Sequence, residues 1–454
     1  MRRFASIALF VAFALAALGP IRNYDYFWHL ATGRWIVEHR ALPLTDPFLI
    51  ASDRHEWING EWLFELAAYG AHEIVGLPGM SVVRALLAAS IFIVVFFKSR
   101  RDLLMTAIAF AGAMQTVDLR PSSVALLFVV LAITARGWIA HAVIAALWIN
   151  IHPSAILAPG ITALSTRRAA PVIASALALL INPHGWRALV APLELMTFIR
   201  TSGAFINAEW LPSRPTQFPL LYLCVLGAAI AFVARRREEG TWWRVLLLAG
   251  FAFLAIRHVR NQGLFFAAFP LLIPRFEIRR AIAMFGAVAA ITLVALMADH
   301  RLGIAPERFP VRAVARLKAT GLQGNIYNPD QFGGFLIWSF YPQRRVLTDG
   351  RNELHRTFLP EYARALDDQR AWRALLAKYR IDLAVDEYHP PLRVRDSVTG
   401  TQTSMPASLA YWPRKDWALI AFDDAGMVFA RRAAFPQETL ARLEMWGGVP
   451  DAPR

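Results

Sequence analysis

Apolar runs separated by short gaps rich in Arg and Lys fill the first 300 residues of this chain. Alternate gaps carry the basic residues, as the cytoplasmic loops of membrane proteins do. We therefore predict a polytopic transmembrane domain over residues 1–300, with its N-terminus inside. Several runs are shorter than the ~20 residues of a straight span, so tilted, broken or re-entrant helices are expected. The eleven runs lie at residues 4–19, 82–97, 103–117, 121–134, 138–150, 156–165, 169–181, 218–234, 242–256, 264–273 and 281–298.

The composition also indicates an integral membrane protein. Hydrophobic residues make up 56% of the chain and charged residues 18%, whereas soluble domains have about 45–50% and about 25%. The net charge of +15 would suit a nucleic-acid-binding protein, but many Arg and Lys residues lie in gaps between apolar runs. This placement predicts a lipid bilayer, and no nucleic acid, as partner. The single cysteine, Cys224, excludes an intramolecular disulfide and does not identify the compartment.

The first run, at residues 4–19, permits two interpretations. It is short and ends with Ala-x-Ala spacing, as in a cleaved signal peptide, but the many later runs favour a membrane anchor. In both cases the loop at residues 22–80 is predicted to be external. Residues 183–217 form a second external segment, in which residues 188–199 keep one apolar face and suit a helix at the membrane interface.

Residues 301–454 have ordinary polarity and no run of membrane length. We predict a soluble α/β domain there, external because an odd number of spans precedes it. Residues 390–413 are predicted to be an excursion from this domain. Helices are predicted at residues 310–320 and 359–379, strands at 335–338, 345–347, 381–385, 417–422 and 427–430, and a hairpin turn at 423–426.

Asp25 is the leading candidate for a catalytic residue. It follows the first apolar run by a few residues, at the lipid–water boundary, where an ionised group is costly and usually functional. The alternative is structural, because His29 lies four residues on and could pair with it on a helix.

Basic residues at the outer ends of the runs are candidates for binding an anion. Arg257, His258 and Arg260 lie in a short external gap, where basic residues are normally rare. Their partner would be a lipid phosphate or a protein carboxylate, such as Glu56, Glu61 or Glu209. Arg120 could bind substrate or merely cap the span that follows it. His152 and His184 each sit in a break between apolar runs, where a structural role in a turn is the alternative.

Segments spread over most of the chain resemble bacterial polytopic membrane proteins related to the GT-C glycosyltransferases. These segments are Asp25-Tyr26-Phe27-Trp28-His29-Leu30-Ala31-Thr32-Gly33, Pro43-Leu44-Thr45-Asp46-Pro47-Phe48, Glu61-Trp62-Leu63, Arg120-Pro121, Trp148-Ile149-Asn150-Ile151-His152, Asn182-Pro183-His184-Gly185, Arg257-His258-Val259-Arg260-Asn261, Phe332-Gly333-Gly334-Phe335-Leu336 and Asp349-Gly350-Arg351. The resemblance implies a GT-C fold, an acidic residue in the first external loop that acts on the acceptor, and a sugar delivered on a polyprenyl phosphate.

The predicted function is transfer of a sugar from a polyprenyl-phosphate donor to an envelope glycan, lipid or protein on the outer side of a bacterial inner membrane. Asp25 would be the general base. The scheme requires no cofactor. Tyr24 and Tyr26 flank Asp25 in place of a second acid, which disfavours the metal-dependent mechanism but leaves a divalent metal open. The predicted substrate-binding residues are His29, Glu61, Arg120, His152, His184, Arg257, His258, Arg260, Asp349 and Arg351.

Two functions of other classes remain as alternatives. A flippase or transporter of lipid-linked glycans would need charged or polar residues deep in several spans, and the runs contain few, such as Arg84, Gln115 and Arg244. A non-catalytic envelope assembly protein would recruit partners through its C-terminal domain. Neither alternative requires Asp25 specifically.

Overall fold

The computed structural model describes residues 2–53, 55–202, 208–235, 241–274, 278–395 and 402–445. Its chain divides into two compact units. The first contains Met1–Asn23, Ile58–Met196 and Ile206–Gly303. The second contains Tyr24–Trp57, Thr197–Phe205 and Ile304–Arg454. The segment that begins the predicted external loop therefore belongs to the same unit as the C-terminal residues.

The first unit is helical, and each of the eleven apolar runs lies in a helix. One further helix, Arg187–Ser202, covers the predicted interfacial segment, and its end from Thr197 is assigned to the second unit. The others are Arg2–Ala17, Trp62–Lys98, Leu103–Ala113, Pro121–Thr134, Trp138–Ile149, Ala158–Thr166, Ala169–Ala178, Pro219–Ala234, Trp242–Arg257, Gln262–Leu272 and Arg280–Met297.

Two helices of the described residues are long and apolar enough to cross a membrane, namely Trp62–Lys98 and Arg280–Met297. The second of these leaves Phe285 78% exposed and Leu296 79% exposed. Large apolar side chains exposed along a whole helix suit lipid better than water. The number of spans stays a prediction, because the remaining helices are shorter than a straight crossing requires.

The helix Trp62–Lys98 begins twenty residues before the predicted span at 82–97. Gly76 interrupts it with φ 63° and ψ 178°, and Pro78 follows. Glycine has no Cβ and accepts a positive φ, and Pro lacks the N–H of a continuing helix. The helix therefore has an N-terminal part, absent from the predicted span, before the membrane-like C-terminal part.

The second unit contains six strands, namely β1 Asn325–Tyr327, β2 Ile381–Glu387, β3 Leu392–Arg395, β4 Gln402–Met405, β5 Trp417–Phe422 and β6 Gly426–Arg431. Four of them form a sheet in the order β1-β2-β6-β5, and β3 and β4 form a separate hairpin. Strands β1 and β2 are parallel, and the other pairs are antiparallel. The helices are Tyr26–His39, Val311–Thr320, Asp330–Phe340, Phe358–Asp367, Gln369–Lys378, Ala407–Tyr411 and Gln437–Leu443.

Three of the predicted strands, at 381–385, 417–422 and 427–430, are confirmed. The strand predicted at 335–338 is wrong, because these residues lie inside the helix Asp330–Phe340. A short apolar run does not distinguish a buried strand from a buried helix. The run at 345–347 forms only isolated bridges, through Val346.

Two further predictions need adjustment. The helix predicted at 359–379 is two helices, since the extended backbone of Asp368 ends one and its carboxylate caps the next. The predicted excursion at 390–413 contains the hairpin of β3 and β4, and residues 396–401 lie outside the described residues.

The predicted turn between β5 and β6 is confirmed, and Asp423 organises it. Its Oδ1 accepts hydrogen bonds from the backbone N–H groups of Ala425 and Gly426, each at 3.0 Å. Its Oδ2 accepts from the N–H groups of Arg312 and Ala313, each at 2.9 Å, at the start of a helix. One carboxylate thus closes the hairpin and satisfies N–H groups that the helix leaves without partners.

Candidate functional site

Asp25 stands at the N-terminus of the helix Tyr26–His39. Its side chain makes no capping bond to this helix, and its Oδ1 accepts a hydrogen bond from Trp28 Nε1 at 3.2 Å. The carboxylate is partly exposed, whereas the residues that follow it are buried. The helix therefore fixes the position of a carboxylate that solvent or a substrate can still reach.

Two glycines bring separate segments of the second unit against Asp25. A Cβ added to Gly334 would lie 2.8 Å from Tyr24 O and 3.1 Å from Trp28 N. A Cβ added to Gly350 would lie 2.9 Å from Asp25 Oδ1. Because real Cβ atoms do not approach that closely, the backbones can meet only where side chains are missing. The helix Asp330–Phe340 and the loop at Gly350 thus converge on the start of the Asp25 helix.

Two more carboxylates act electrostatically on this place. Asp330 is the first residue of its helix, and Glu387 ends β2. The pKa of Asp330 is raised to about 7, mainly by burial. The hydrogen bond from the Gln331 backbone opposes this rise, and the charges of Glu387 and Asp25 add to it. Burial also raises the pKa of Glu387. Since like charges at close range disfavour ionisation, one proton is readily held in this group.

Nothing in the sequence around Asp330 or Glu387 marked these residues as candidates. Asp330 lies between Pro329 and Gln331, Glu387 follows Asp386, and the two residues lie 305 and 362 residues after Asp25. No group of three or more His, Cys, Asp or Glu residues suited to a metal ion occurs among the described residues. That the reaction requires no cofactor stays a prediction.

Asp349 and Arg351 form a buried ion cluster with Asp46. The Arg351 Nη2 atom lies 2.9 Å from Asp46 Oδ1 and 2.5 Å from Asp349 Oδ2. The guanidinium also lies 4.6 Å from the centre of the Trp57 ring. Nε2 of His355 is 3.5 Å from the other oxygen of Asp349. Arg351 is 2% exposed and Asp349 1% exposed, so these contacts hold two loops together.

The electrostatics of this cluster differ between its two carboxylates. Burial tends to raise the pKa of Asp349, but Arg351 and His355 outweigh it and hold the pKa well below its ordinary value. For Asp46 burial is the larger effect and raises the pKa, although Arg351 opposes it. The two carboxylates in turn raise the pKa of Arg351, against the effect of burial. The guanidinium therefore stays charged and pairs most strongly with Asp349.

His29, on the helix that Asp25 begins, is 1% exposed. Its ring centre lies 3.6 Å from that of Trp28. The His29 backbone N–H donates to Asp25 O at 3.2 Å as part of the first helical turn. His29 thus supports the ring whose indole N–H binds the Asp25 carboxylate.

A second charged group lies within the first unit. The Arg120 Nη1 atom is 2.5 Å from Glu209 Oε1, and its Nη2 donates to Thr116 O at 3.1 Å. The Arg260 guanidinium lies 4.5 Å above the Trp210 ring. Nδ1 of His258 is 2.6 Å from Trp210 O.

Two guanidinium groups act on one carboxylate in this group, that of Glu209. Burial tends to raise the pKa of Glu209, but Arg120 and Arg260 outweigh it and hold the pKa below its ordinary value. Burial, aided by Arg260 and Arg120, lowers the pKa of His152 to about 3. The neutral ring accepts a hydrogen bond from the Ser154 N–H at 3.1 Å, so His152 caps the short helix Pro153–Leu157. The group keeps an excess of positive charge.

The remaining predicted residues of the first unit lie at ends of helices and in turns. Glu61 precedes the helix Trp62–Lys98. His184 lies in a turn, where its N–H donates to Asn182 Oδ1 at 2.9 Å. Arg257 is the exposed last residue of the helix Trp242–Arg257.

The predicted site residues therefore divide between the two units. Glu61, Arg120, His152, His184, Arg257, His258 and Arg260 belong to the first. Asp25, His29, Asp349 and Arg351 belong to the second. The roles of all these residues in substrate binding or catalysis stay predictions.

Solved structures of the oligosaccharyltransferase of Archaeoglobus fulgidus are similar to this chain. The structure of AglB in complex with an inhibitory peptide and a dolichol-phosphate matches with a TM-score of 0.55 at 10% identity, over 89% of this chain and 74% of that one. The apo form gives 0.54 at 10% identity over 88% and 74%. The complex with Zn and sulfate gives 0.51 at 10% identity over 88% and 72%.

No family model and no curated protein matches the chain. The fold similarity covers most of both chains and includes a largely helical part and a C-terminal unit with a small sheet. The chain therefore shares the fold of the archaeal oligosaccharyltransferase, which agrees with the GT-C fold that the resemblance implies.

Proposed function

We propose that this protein is a membrane glycosyltransferase with a polyprenyl-phosphate sugar as donor and an envelope glycan, lipid or protein as acceptor. The observation that carries the proposal is the setting of Asp25, a partly exposed carboxylate at a helix N-terminus that lies against Gly350 and acts, with Glu387, on the carboxyl group of Asp330. The GT-C fold supports the reaction class. We place the protein in a bacterial inner membrane, with its C-terminal unit outside.

Asp25 acts in this proposal as general base toward an acceptor hydroxyl. Its carboxylate takes the hydroxyl proton while the acceptor oxygen forms a bond to the anomeric carbon. The bond from that carbon to the phosphate oxygen breaks at the same time, and the phosphate leaves with the electron pair. Trp28 holds the carboxylate in place through its indole N–H. General-base catalysis of this kind contributes about 10²–10⁴-fold to a rate.

The basic group of the first unit is assigned to the donor phosphate. Arg120 pairs with Glu209, and the charge of Arg260 also acts on that carboxylate, so two guanidinium groups act at one place. Guanidinium groups bind phosphate oxygens through two parallel hydrogen bonds. Fixed positive charge also stabilises the negative charge that the phosphate gains as it leaves. His152 is neutral and contributes shape, not charge.

The experiment that tests the proposal is the substitution Asp25→Asn in purified protein in nanodiscs. Asn keeps the size and the hydrogen bond to Trp28 but cannot take a proton. Transfer from a panel of radiolabelled polyprenyl-phosphate hexoses and pentoses to membrane acceptors should fall about 10²–10⁴-fold or more.

Asp367→Asn is the matched control, since Asp367 is exposed at the end of the helix Phe358–Asp367. It should transfer sugar like the unchanged protein. Both variants should insert and elute alike on size exclusion. Undiminished turnover by folded Asp25→Asn protein would contradict general-base catalysis by Asp25. No transfer by the unchanged protein would instead favour the transporter or the assembly protein, neither of which needs Asp25.

A further inference from the structure

A cavity of about 930 Å³ opens in the second unit, among the helices Gln369–Lys378, Ala407–Tyr411 and Gln437–Leu443 and the ends of β5 and β6. Its volume falls in the range of ~300–1,000 Å³ that is usual for ligand pockets. None of the carboxylates near Asp25 lines it. The cavity is therefore separate from the carboxylates to which acid–base catalysis is assigned above.

The back wall of the cavity is aromatic and aliphatic. Trp372 and Trp417 are each 3% exposed, and Leu440 is 1% exposed. Trp372 Nε1 donates to Tyr411 O at 3.1 Å, and the two rings meet edge to face with centres 5.0 Å apart. These contacts fix the wall before any ligand binds, so binding loses little side-chain entropy.

The rim carries positive charge. Four basic residues and one acidic residue, Asp416, line the cavity. Arg432 is paired with Glu444. Arg373 and Lys415 are exposed, and the Arg431 guanidinium lies 5.8 Å from the centre of the Trp417 ring. Among the described residues, the cavity thus combines an apolar wall with a rim that carries more basic than acidic side chains.

We propose that this cavity binds a short acidic oligosaccharide through its carboxylate or phosphate groups. The C–H faces of sugar rings suit the aromatic and aliphatic wall, as apolar pockets with a few polar groups suit organic ligands. The amide groups of Gln369 and Gln437 can exchange hydrogen bonds with hydroxyls. Arg373 and Lys415 attract the acidic groups. On the proposed function, on which this part rests, the bound glycan is the acceptor.

An acidic peptide suits the cavity less well. Extended peptides usually bind by adding a strand to an exposed sheet edge. The edge strand here is β5, and its Leu419 O already accepts a hydrogen bond from Met445 N at 2.8 Å. One acceptor of this edge is therefore already in use, and the Gln, Arg and Lys residues that line the cavity favour a ligand that presents hydroxyls and acidic groups.

The test is calorimetric titration of the full chain in nanodiscs with an oligogalacturonide, and with its methyl ester as the uncharged counterpart. The acidic form should bind and the ester at least tenfold more weakly. The double variant R373E/K415E should lower affinity for the acidic form about tenfold and reduce its salt dependence. R370E is the matched control, because Arg370 is exposed on the same helix and outside the cavity.

Equal binding of acid and ester, an unaltered affinity in R373E/K415E, or no binding at all would overturn the proposal. Tighter binding of a polyglutamate peptide than of the oligogalacturonide would also overturn it, in favour of a peptide site. Asp25→Asn protein should bind the oligogalacturonide like the unchanged protein. Loss of sugar transfer and loss of glycan binding can therefore be observed separately.

Discussion

Two charged groups in the second unit both contain carboxylates and behave in opposite ways. In one, Arg351 lies between Asp46 and Asp349, and the cluster is buried. In the other, Asp25, Asp330 and Glu387 interact as like charges and stay partly exposed. The first group has opposite charges at contact distance and holds loops. The second keeps a proton available at a reachable place, which is what acid–base chemistry needs.

The largest effect should come from Arg351→Met, which turns the first group into a second set of like charges. Removing one partner of a buried ion pair leaves uncompensated carboxylates and costs about 3–5 kcal/mol. Unfolding by denaturant in mixed micelles, followed by tryptophan fluorescence, measures the loss. Arg345→Met is the control, because Arg345 is exposed. Equal stability of the two variants would show that the cluster does not hold the loops.

The next largest effect should come from Gly334→Ala, which disturbs the approach of the Asp330 helix to Asp25. The new methyl would lie 2.8 Å from Tyr24 O, a backbone atom that cannot rotate away. We expect a loss of about 1–3 kcal/mol in stability and reduced transfer, because the backbone must shift. Gly70→Ala, with no atom within 4 Å of the added methyl, should be neutral or stabilising in the same unfolding assay. Similar behaviour of the two variants would contradict close packing at Gly334.

Asp330→Asn removes one ionisable carboxyl from the group of Asp25, Asp330 and Glu387. It should therefore change the pH dependence of stability. The folded carboxyl holds its proton up to about pH 7, whereas an unfolded Asp releases it near pH 4. The folded protein therefore loses stability as the pH rises from about 4 to about 7. Asn cannot ionise, so the free energy of unfolding of the variant at pH 8 should exceed that of the unchanged protein by about 1–2 kcal/mol. This gain is smaller than the full pKa shift implies, because solvent reaches the side chain.

Unfolding measured between pH 4.5 and pH 8 tests this prediction, with Asp367→Asn as control. The difference between Asp330→Asn and the unchanged protein should grow with pH across that window. A constant difference would mean that folding does not raise the pKa of Asp330.

The smallest effect concerns the basic group of the first unit, where Arg120 and Arg260 outnumber Glu209. Arg260→Lys keeps the charge but loses the stacking on Trp210. Lys also cannot make the two parallel hydrogen bonds that a guanidinium makes to a phosphate. Affinity for a polyprenyl-phosphate donor in nanodiscs should fall a few-fold, on the order of 1 kcal/mol. Arg257→Lys should also weaken binding, but less, because Arg257 is exposed. Unaltered affinity in both variants would make Arg257 and Arg260 structural and direct the search for the phosphate site to Arg120.

Local sequence was sufficient for much of the fold. The apolar run at 121–134 coincides with its helix, Pro121–Thr134, and the strands at 417–422 and 427–430 agree equally well. Periodicity, apolar length and turn residues act over a few neighbours, so they can be recognised in the sequence alone. The failure at 335–338 shows the limit, since four apolar residues suit a strand or a helix until their packing partners are known.

The sequence by itself determined that the chain is rich in membrane-like helices, that a polar C-terminal region follows, and that Asp25 is unusual for its place. Only the tertiary structure decided which charges meet. It paired Asp46 with Arg351 and Arg120 with Glu209, and it brought Asp330 within electrostatic reach of both Asp25 and Glu387. The physical reason is distance along the chain: these partners are tens to hundreds of residues apart, and local propensity carries no information about contacts that chain folding alone creates.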